Sequence, residues 1–200
     1  MPLTTPRPWL FAVLLAVLVF LSSSAFADRM TPVAVKQFED TKAKAEIGDP
    51  NAQDWLAVFY ARGWGVAKDE VEAFKWYRKA AEQGHANAQN GLGICYFNGE
   101  GVAKDMVEGA KWYRKAADQG RTDAQINLGV CYWFGEGVAK DMVEAYAYFI
   151  TASIKDKQAR HNRDTLRKEL SSSAVFRGNQ RAKELQKEID AKIAAKKAGK

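Results

Sequence analysis

Apolar residues in the middle of the chain fall at helical spacing, interrupted by glycine at regular intervals. In one stretch Ala88, Leu92, Cys95 and Tyr96 fall on one face of a helix of about three turns. Gly99 ends it, a residue free to take the left-handed conformation of a helix C-terminus. A second amphipathic stretch follows, with Val107, Trp112, Ala116 and Ala117 on its apolar face, and Gly120 ends that one. Asp105 opens this second helix and Glu108 stands three residues on, the spacing of a capping box. Asp69/Glu72 and Asp141/Glu144 repeat the pair. Asp49-Pro50 opens the first helix of the series, since proline suits the first helical position.

The same two-helix pattern occurs three times without a gap, over 48–83, 84–119 and 120–155. The first two units agree at 22 of 36 positions and the second and third at 18. Small residues recur at Ala52/Ala88/Ala124 and Ala80/Ala116/Ala152, large ones at Leu56/Leu92/Leu128 and Tyr60/Tyr96/Tyr132. One helix pair cannot bury both of its faces, so the units have to stack into a solenoid. Helices are predicted over 50–62, 69–83, 86–98, 105–119, 122–134 and 141–155. A half-unit is expected over 28–47, where Lys44-Ala45-Glu46 resembles the end of a second helix.

The third unit departs from its predecessors in an instructive way. Arg114 and Lys115 become Ile150 and Thr151, so the last second helix loses charge where the others keep it. That apolar surface needs a cover. Residues 156–200 can supply one, through a helix bearing Leu166 and Leu170 and, after Ser171-Ser172-Ser173, another bearing Ala182, Leu185, Ile189 and Ile193. These are predicted to be the C-terminal cap, with 192–200 frayed.

Before the repeats, Arg7 precedes an apolar run from Trp9 to Leu21, then serines and Ala25-Phe26-Ala27. This is the pattern of a secretory signal over 1–27, cleaved after Ala27. The mature chain is therefore expected in a periplasm or outside the cell. Its charge is uneven: residues 28–155 hold 16 Lys/Arg against 18 Asp/Glu, while 156–200 hold 13 against 6. The pI near 9.2 thus belongs to the tail, and no nucleic-acid partner is expected. The basic tail, with its apolar residues at helical spacing, could meet an anionic envelope polymer or lipid.

Catalytic patterns are sparse. There are two histidines, and no zinc-binding His-Glu-x-x-His or nucleophile-elbow run. The glycine loop ending in Lys104-Asp105 lacks the spacing and the Ser/Thr of a phosphate loop, and it recurs three times, as a structural turn does. No catalysis, metal or cofactor is expected. His85 stands in an inter-helix connection and is expected to be an exposed loop residue. Cys95 and Cys131 occupy one repeat position, filled by Phe59 in the first unit, which makes it a core position. An even cysteine count in an exported chain favours a disulfide. Stacked units, however, hold equivalent residues roughly 8–10 Å apart, beyond the ~6.8 Å limit between bridged Cα atoms. Two free, buried thiols are expected.

The run Ala88-Gln89, Leu92-Gly93, Tyr96, Gly99, Gly101-Val102, Asp105, Trp112-Tyr113 and Lys115-Ala116-Ala117 resembles the Sel-one-like repeat (SLR), a relative of the tetratricopeptide repeat. The resemblance covers 48–155. It departs at Ala57, where glycine is usual, and at Tyr148-Phe149-Ile150-Thr151, which replaces Trp-Tyr-Arg-Lys. It implies an all-α, right-handed α-α superhelix and a scaffold or adaptor role, with first helices lining the concave face. Positions on those helices that vary between units are then the candidate protein-binding groove: Asn90, Ile94, Phe97, Ile126, Val130, Trp133 and Phe134. They form an aromatic, apolar strip with polar edges, the character of an interface. Trp133 is the expected anchor, the alternative being that some of these residues pack beneath the cap. A partner protein or peptide segment, extended or helical, is the expected ligand. The resemblance also permits a β-lactam-binding or peptidoglycan-related hydrolase, an activity assigned to some cysteine-rich relatives. Those pair cysteines within their units, a spacing this chain lacks.

Overall fold

A computed structural model describes residues 30–199. The expected signal segment, 1–27, lies outside the described residues. Nine helices and no strand occur among the described residues: α1 (Pro32–Glu46), α2 (Pro50–Arg62), α3 (Glu70–Glu82), α4 (Ala86–Asn98), α5 (Met106–Ala117), α6 (Thr122–Phe134), α7 (Met142–Ser153), α8 (Lys157–Glu169) and α9 (Ser172–Ala198). The chain is an all-α solenoid. Helices α2, α4 and α6 begin and end where the sequence pattern places them. The second helices start one residue later than predicted, because Asp69, Asp105 and Asp141 are the caps themselves.

Those aspartates do only half of what a capping box does. Asp105 accepts the backbone N–H of Glu108 at 3.0 Å. The glutamate does not reach back, because the aspartate's own N–H is already committed. Asp69, Asp105 and Asp141 donate to the carbonyls of Tyr60, Tyr96 and Tyr132, tying the two helices of each unit together. Glu72 and Glu108 instead pair with Lys75 and Lys111.

Two devices stack one unit on the next. The first is a glutamine relay. Gln89 Nε2 donates to the carbonyl of Ala81, near the end of the preceding second helix, at 3.2 Å. Its Oε1 accepts from Gln119 at 2.6 Å, across to the end of its own unit. Gln53 does the same between Ala45 and Gln83. Because Gln53 finds Ala45 on α1 just as Gln89 finds Ala81 on α3, α1 occupies the place of a second helix ahead of the first unit. The second device is the second glycine of each loop. Gly101 has φ +71°, and a Cβ there would lie well inside contact distance of the Glu70 backbone carbonyl, at the start of the preceding second helix. Gly65 meets Ala34 and Gly137 meets Met106 in the same way. Only glycine lets the loop of one unit rest on the helix end of the unit before.

The core runs along the stack through Leu56, Leu92 and Leu128, each with no exposed surface. At the far end α7 is buried nearly all round, from Ala145 to Phe149 and again from Thr151 to Ser153. Its lost charges are explained by what covers it: α8, through the buried Leu166, and α9, through Ala182 and Leu185. Arg181 of α9 forks onto Glu144 at 2.9 and 3.3 Å. The expected fraying after residue 192 is not seen, since α9 stays helical to Ala198. Lys192 pairs with Asp118 at 2.8 Å. Lys196 donates to the carbonyl of Gly84 at 3.2 Å and to Gln119. This helix, about 40 Å long at 1.5 Å per residue, thus runs from the third unit back to the turns that join the earlier ones.

Candidate interaction groove

Three first helices, α2, α4 and α6, stand side by side along the stack. Neighbours touch directly: Asn127 Nδ2 of α6 donates to Asn90 Oδ1 of α4 at 3.0 Å. Asn90 is therefore buried at 9% exposure and spent on a helix-to-helix bond rather than offered to a ligand. Its counterpart one unit earlier is Asp54, also buried. Burial raises the Asp54 carboxyl above its usual range, opposed by the nearby charges of His85 and Arg121.

His85 is not the exposed loop residue its place in the sequence suggests. It is the N-cap of α4, with Nδ1 accepting from Ala88 N–H at 3.4 Å and Nε2 at 3.1 Å from Asn51 Oδ1. The ring thus bridges α2 and α4.

The remaining predicted groove residues divide by location. Ile94 and Phe97 are half-buried, the Phe97 ring 6.0 Å from that of Tyr113. Ile126, Val130 and Trp133 are half-buried against the cluster of Tyr146, Phe149 and Leu166, under the C-terminal cap. Trp133 meets Phe149 edge-on at 5.9 Å and stacks on Phe134 at 5.3 Å. Phe134 is 61% exposed. Trp55, on α2, is 56% exposed. In the repeat Trp55 stands where Gly91 and Asn127 stand, and Phe134 where Asn98 stands. Exposed aromatics therefore occupy the two ends of one face.

Between these ends the face is indented. One pocket of about 250 Å³ lies against Ala61, Tyr77, Gly91, Ile94 and Cys95. A second, of about 270 Å³, lies against Phe97, Tyr113, Asn127, Val130 and Cys131. Gly91 lets the Tyr77 ring lie close against α4, because a Cβ there would stand 2.6 Å from it.

Both cysteines are free and buried. Burial pushes each thiol up to about 12, with Glu100 and Glu70 adding to it at Cys95 and Glu136 at Cys131. A nucleophilic cysteine needs the opposite shift. Among the described residues no group of His, Cys, Asp and Glu is placed to hold a metal ion.

Comparison with known proteins gives a consistent picture. The Sel1 repeat model matches residues 50–85, 86–120 and 122–156. Among solved structures, the chain is similar to a protective antigen of uropathogenic Escherichia coli displaying an SLR fold, at 30% identity and TM-score 0.59 over 82% of this chain. It spans 43% of that antigen's length. A Sel1 repeat protein from Oxalobacter formigenes is 38% identical, with TM-score 0.58, over 65% of this chain and 98% of its own. Helicobacter pylori cysteine rich protein B is 25% identical, with TM-score 0.51, over 62% and 95%. No curated protein matches by sequence.

Proposed function

Since this chain belongs to the Sel1 repeat family, we propose that it is an exported scaffold holding a segment of another protein in the groove of α2, α4 and α6. Sel1 repeat proteins are protein-interaction scaffolds, and the groove is where this chain departs from bare repeat packing. The observation that carries the reading is the pair of exposed aromatics, Trp55 and Phe134, at either end of an indented face whose middle holds Ile94, Phe97 and Val130. Aromatic side chains that are exposed in the free protein and flank pockets are favoured anchors for a partner. Ile126 and Trp133 act beneath them, holding the far wall against the cap. Export rests on the N-terminal pattern ending at Ala27, and sequencing the mature N-terminus tests it, with Asp28 expected first.

The other two readings gain no support. A cysteine hydrolase would need an activated thiolate, and the two thiols are shifted the wrong way. Attachment to lipid through the tail would need Leu185 and Ile189, which are buried against the solenoid.

Affinity capture from envelope extracts tests the scaffold reading, comparing the native chain with a Trp55→Ala/Phe134→Ala double variant. Both side chains are mostly exposed, so the variant should fold normally and lose the captured protein. Equal capture by both would place the binding surface elsewhere.

A further inference from the structure

The two pockets are the same pocket one unit apart. Adding 36 to Ala61, Tyr77, Gly91, Ile94 and Cys95 gives Phe97, Tyr113, Asn127, Val130 and Cys131. Each socket is built from the end of one first helix, the tyrosine of its partner helix and the face of the next first helix. A third would fall at Trp133 and Phe149, but there the chain's own rings meet at 5.9 Å, with Leu166 packed in the same cluster. Two sockets remain open among the described residues. Each is smaller than the roughly 300–1,000 Å³ of a small-molecule site, a size for one side chain.

Their lining differs in charge. At the first socket stand two carboxylates, Glu70 and Glu100, with one ammonium, Lys68, which pairs with Glu70 at 2.6 Å. The field of these two carboxylates reaches the floor, where both help push the Cys95 thiol up. No charged side chain lines the second socket, whose walls include Ile94, Phe97, Tyr113 and Val130. Its polar lining is the amides of Asn98 and Asn127.

The spacing selects the shape of the occupant. Neighbouring first helices in contact lie about 8–10 Å apart, and so do their sockets. A chain extended in the polyproline II form rises about 3.1 Å per residue with about three residues per turn, so side chains three residues apart share one face and fall about 9 Å from each other. An extended backbone also leaves its N–H groups open to the side-chain oxygens of Asn98 and Asn127, whose Nδ2 groups already donate to Glu100 and Asn90. A helix has already bonded its own. Resting on the scaffold reading above, we infer that the groove takes an extended segment of a partner protein, with a lysine or arginine in the first socket and an apolar side chain three residues away in the second.

A random dodecapeptide library displayed on phage, panned against the full chain, tests this. Enriched peptides should share a basic and a large apolar residue three positions apart. Ala61→Phe narrows the first socket with the side chain the second unit already carries, so its melting temperature should hold while affinity falls ten-fold or more. Glu100→Gln should abolish the preference for lysine or arginine and keep the apolar one. Peptides that lose binding on Ala61→Phe but show another spacing, such as the seven residues of a helical occupant, would overturn this inference and leave the scaffold reading standing. Peptides that bind Ala61→Phe and the Trp55→Ala/Phe134→Ala variant as well as the native chain would overturn both, as would a library with no enrichment.

Discussion

Gly101 should be among the least replaceable residues of the second loop, and comparison with Gly99 two positions away isolates the reason. Both glycines have positive φ, +82° at Gly99 and +71° at Gly101. Alanine at either position suffers the left-handed backbone, at about 1–2 kcal/mol. At Gly99 little else happens: the new Cβ lies 3.3 Å from Lys104 Cβ, which can give slightly. At Gly101 the new Cβ runs into the carbonyl of Glu70, and there the backbone of the neighbouring unit has to move. Forcing extra volume into a packed contact costs about 1–3 kcal/mol more. Gly101→Ala should therefore cost about 2–5 kcal/mol in total, against about 1–2 for Gly99→Ala. A difference of about 2 kcal/mol corresponds to about 4–8 °C in melting temperature for a domain of this size. Urea unfolding of both variants measures it, and hydrogen exchange should show the loss concentrated between the first and second units. Equal destabilisation by the two alanines would mean that the loop does not bear on the preceding unit.

Gln89→Ala leaves the Ala81 carbonyl and the Gln119 amide without their partner, so a loss of about 2–3 kcal/mol is expected in urea unfolding. Gln125→Ala should lose less, because Lys155 stands where the relay would place another glutamine. Trp133→Ala should cost about 2–3 kcal/mol of stability, somewhat below the ~3–5 of a fully buried tryptophan; an unchanged melting temperature with weakened partner binding would return Trp133 to the role of anchor. Maleimide should label the native chain slowly and the unfolded chain at two sulfurs without reductant; none would reveal a bridge. Both thiols titrate later when folded than when unfolded, so their contribution to stability is complete below about pH 9. It should be lost as pH rises from there toward about 12, a decline that Cys95→Ala/Cys131→Ala should lessen.

Much of the architecture could be read from the chain because each unit repeats its own punctuation. Gly63, Gly99 and Gly135 mark the ends of the first helices, and three aspartates mark the starts of the second ones. Ile150 and Thr151 announced a covered face, and α8 and α9 cover it. The groove was less legible. A socket is assembled from three helices of two successive units, so no local pattern marks it. Polarity suggests exposure for Asn90 and His85; hydrogen bonds across neighbouring units leave Asn90 buried and His85 half-buried. Trp133 could equally have faced a partner or the cap, and the deciding contact, Phe149, belongs to the very substitution that made the third unit unusual.

Most repeat arrays gain or lose units freely over evolution, since each unit meets only its neighbours. The long last helix removes that freedom here. It is fixed to the third unit through Arg181 and Glu144, to the next turn through Lys192 and Asp118, and to the turn before that through Lys196 and the Gly84 carbonyl. Insert one more copy between the second and third units, and the anchor points at Asp118 and Gly84 move by a full unit relative to a helix whose length has not changed. The helix therefore works as a ruler: it measures the array, and a duplication that the repeats themselves would tolerate becomes a misfit unless the tail grows with it.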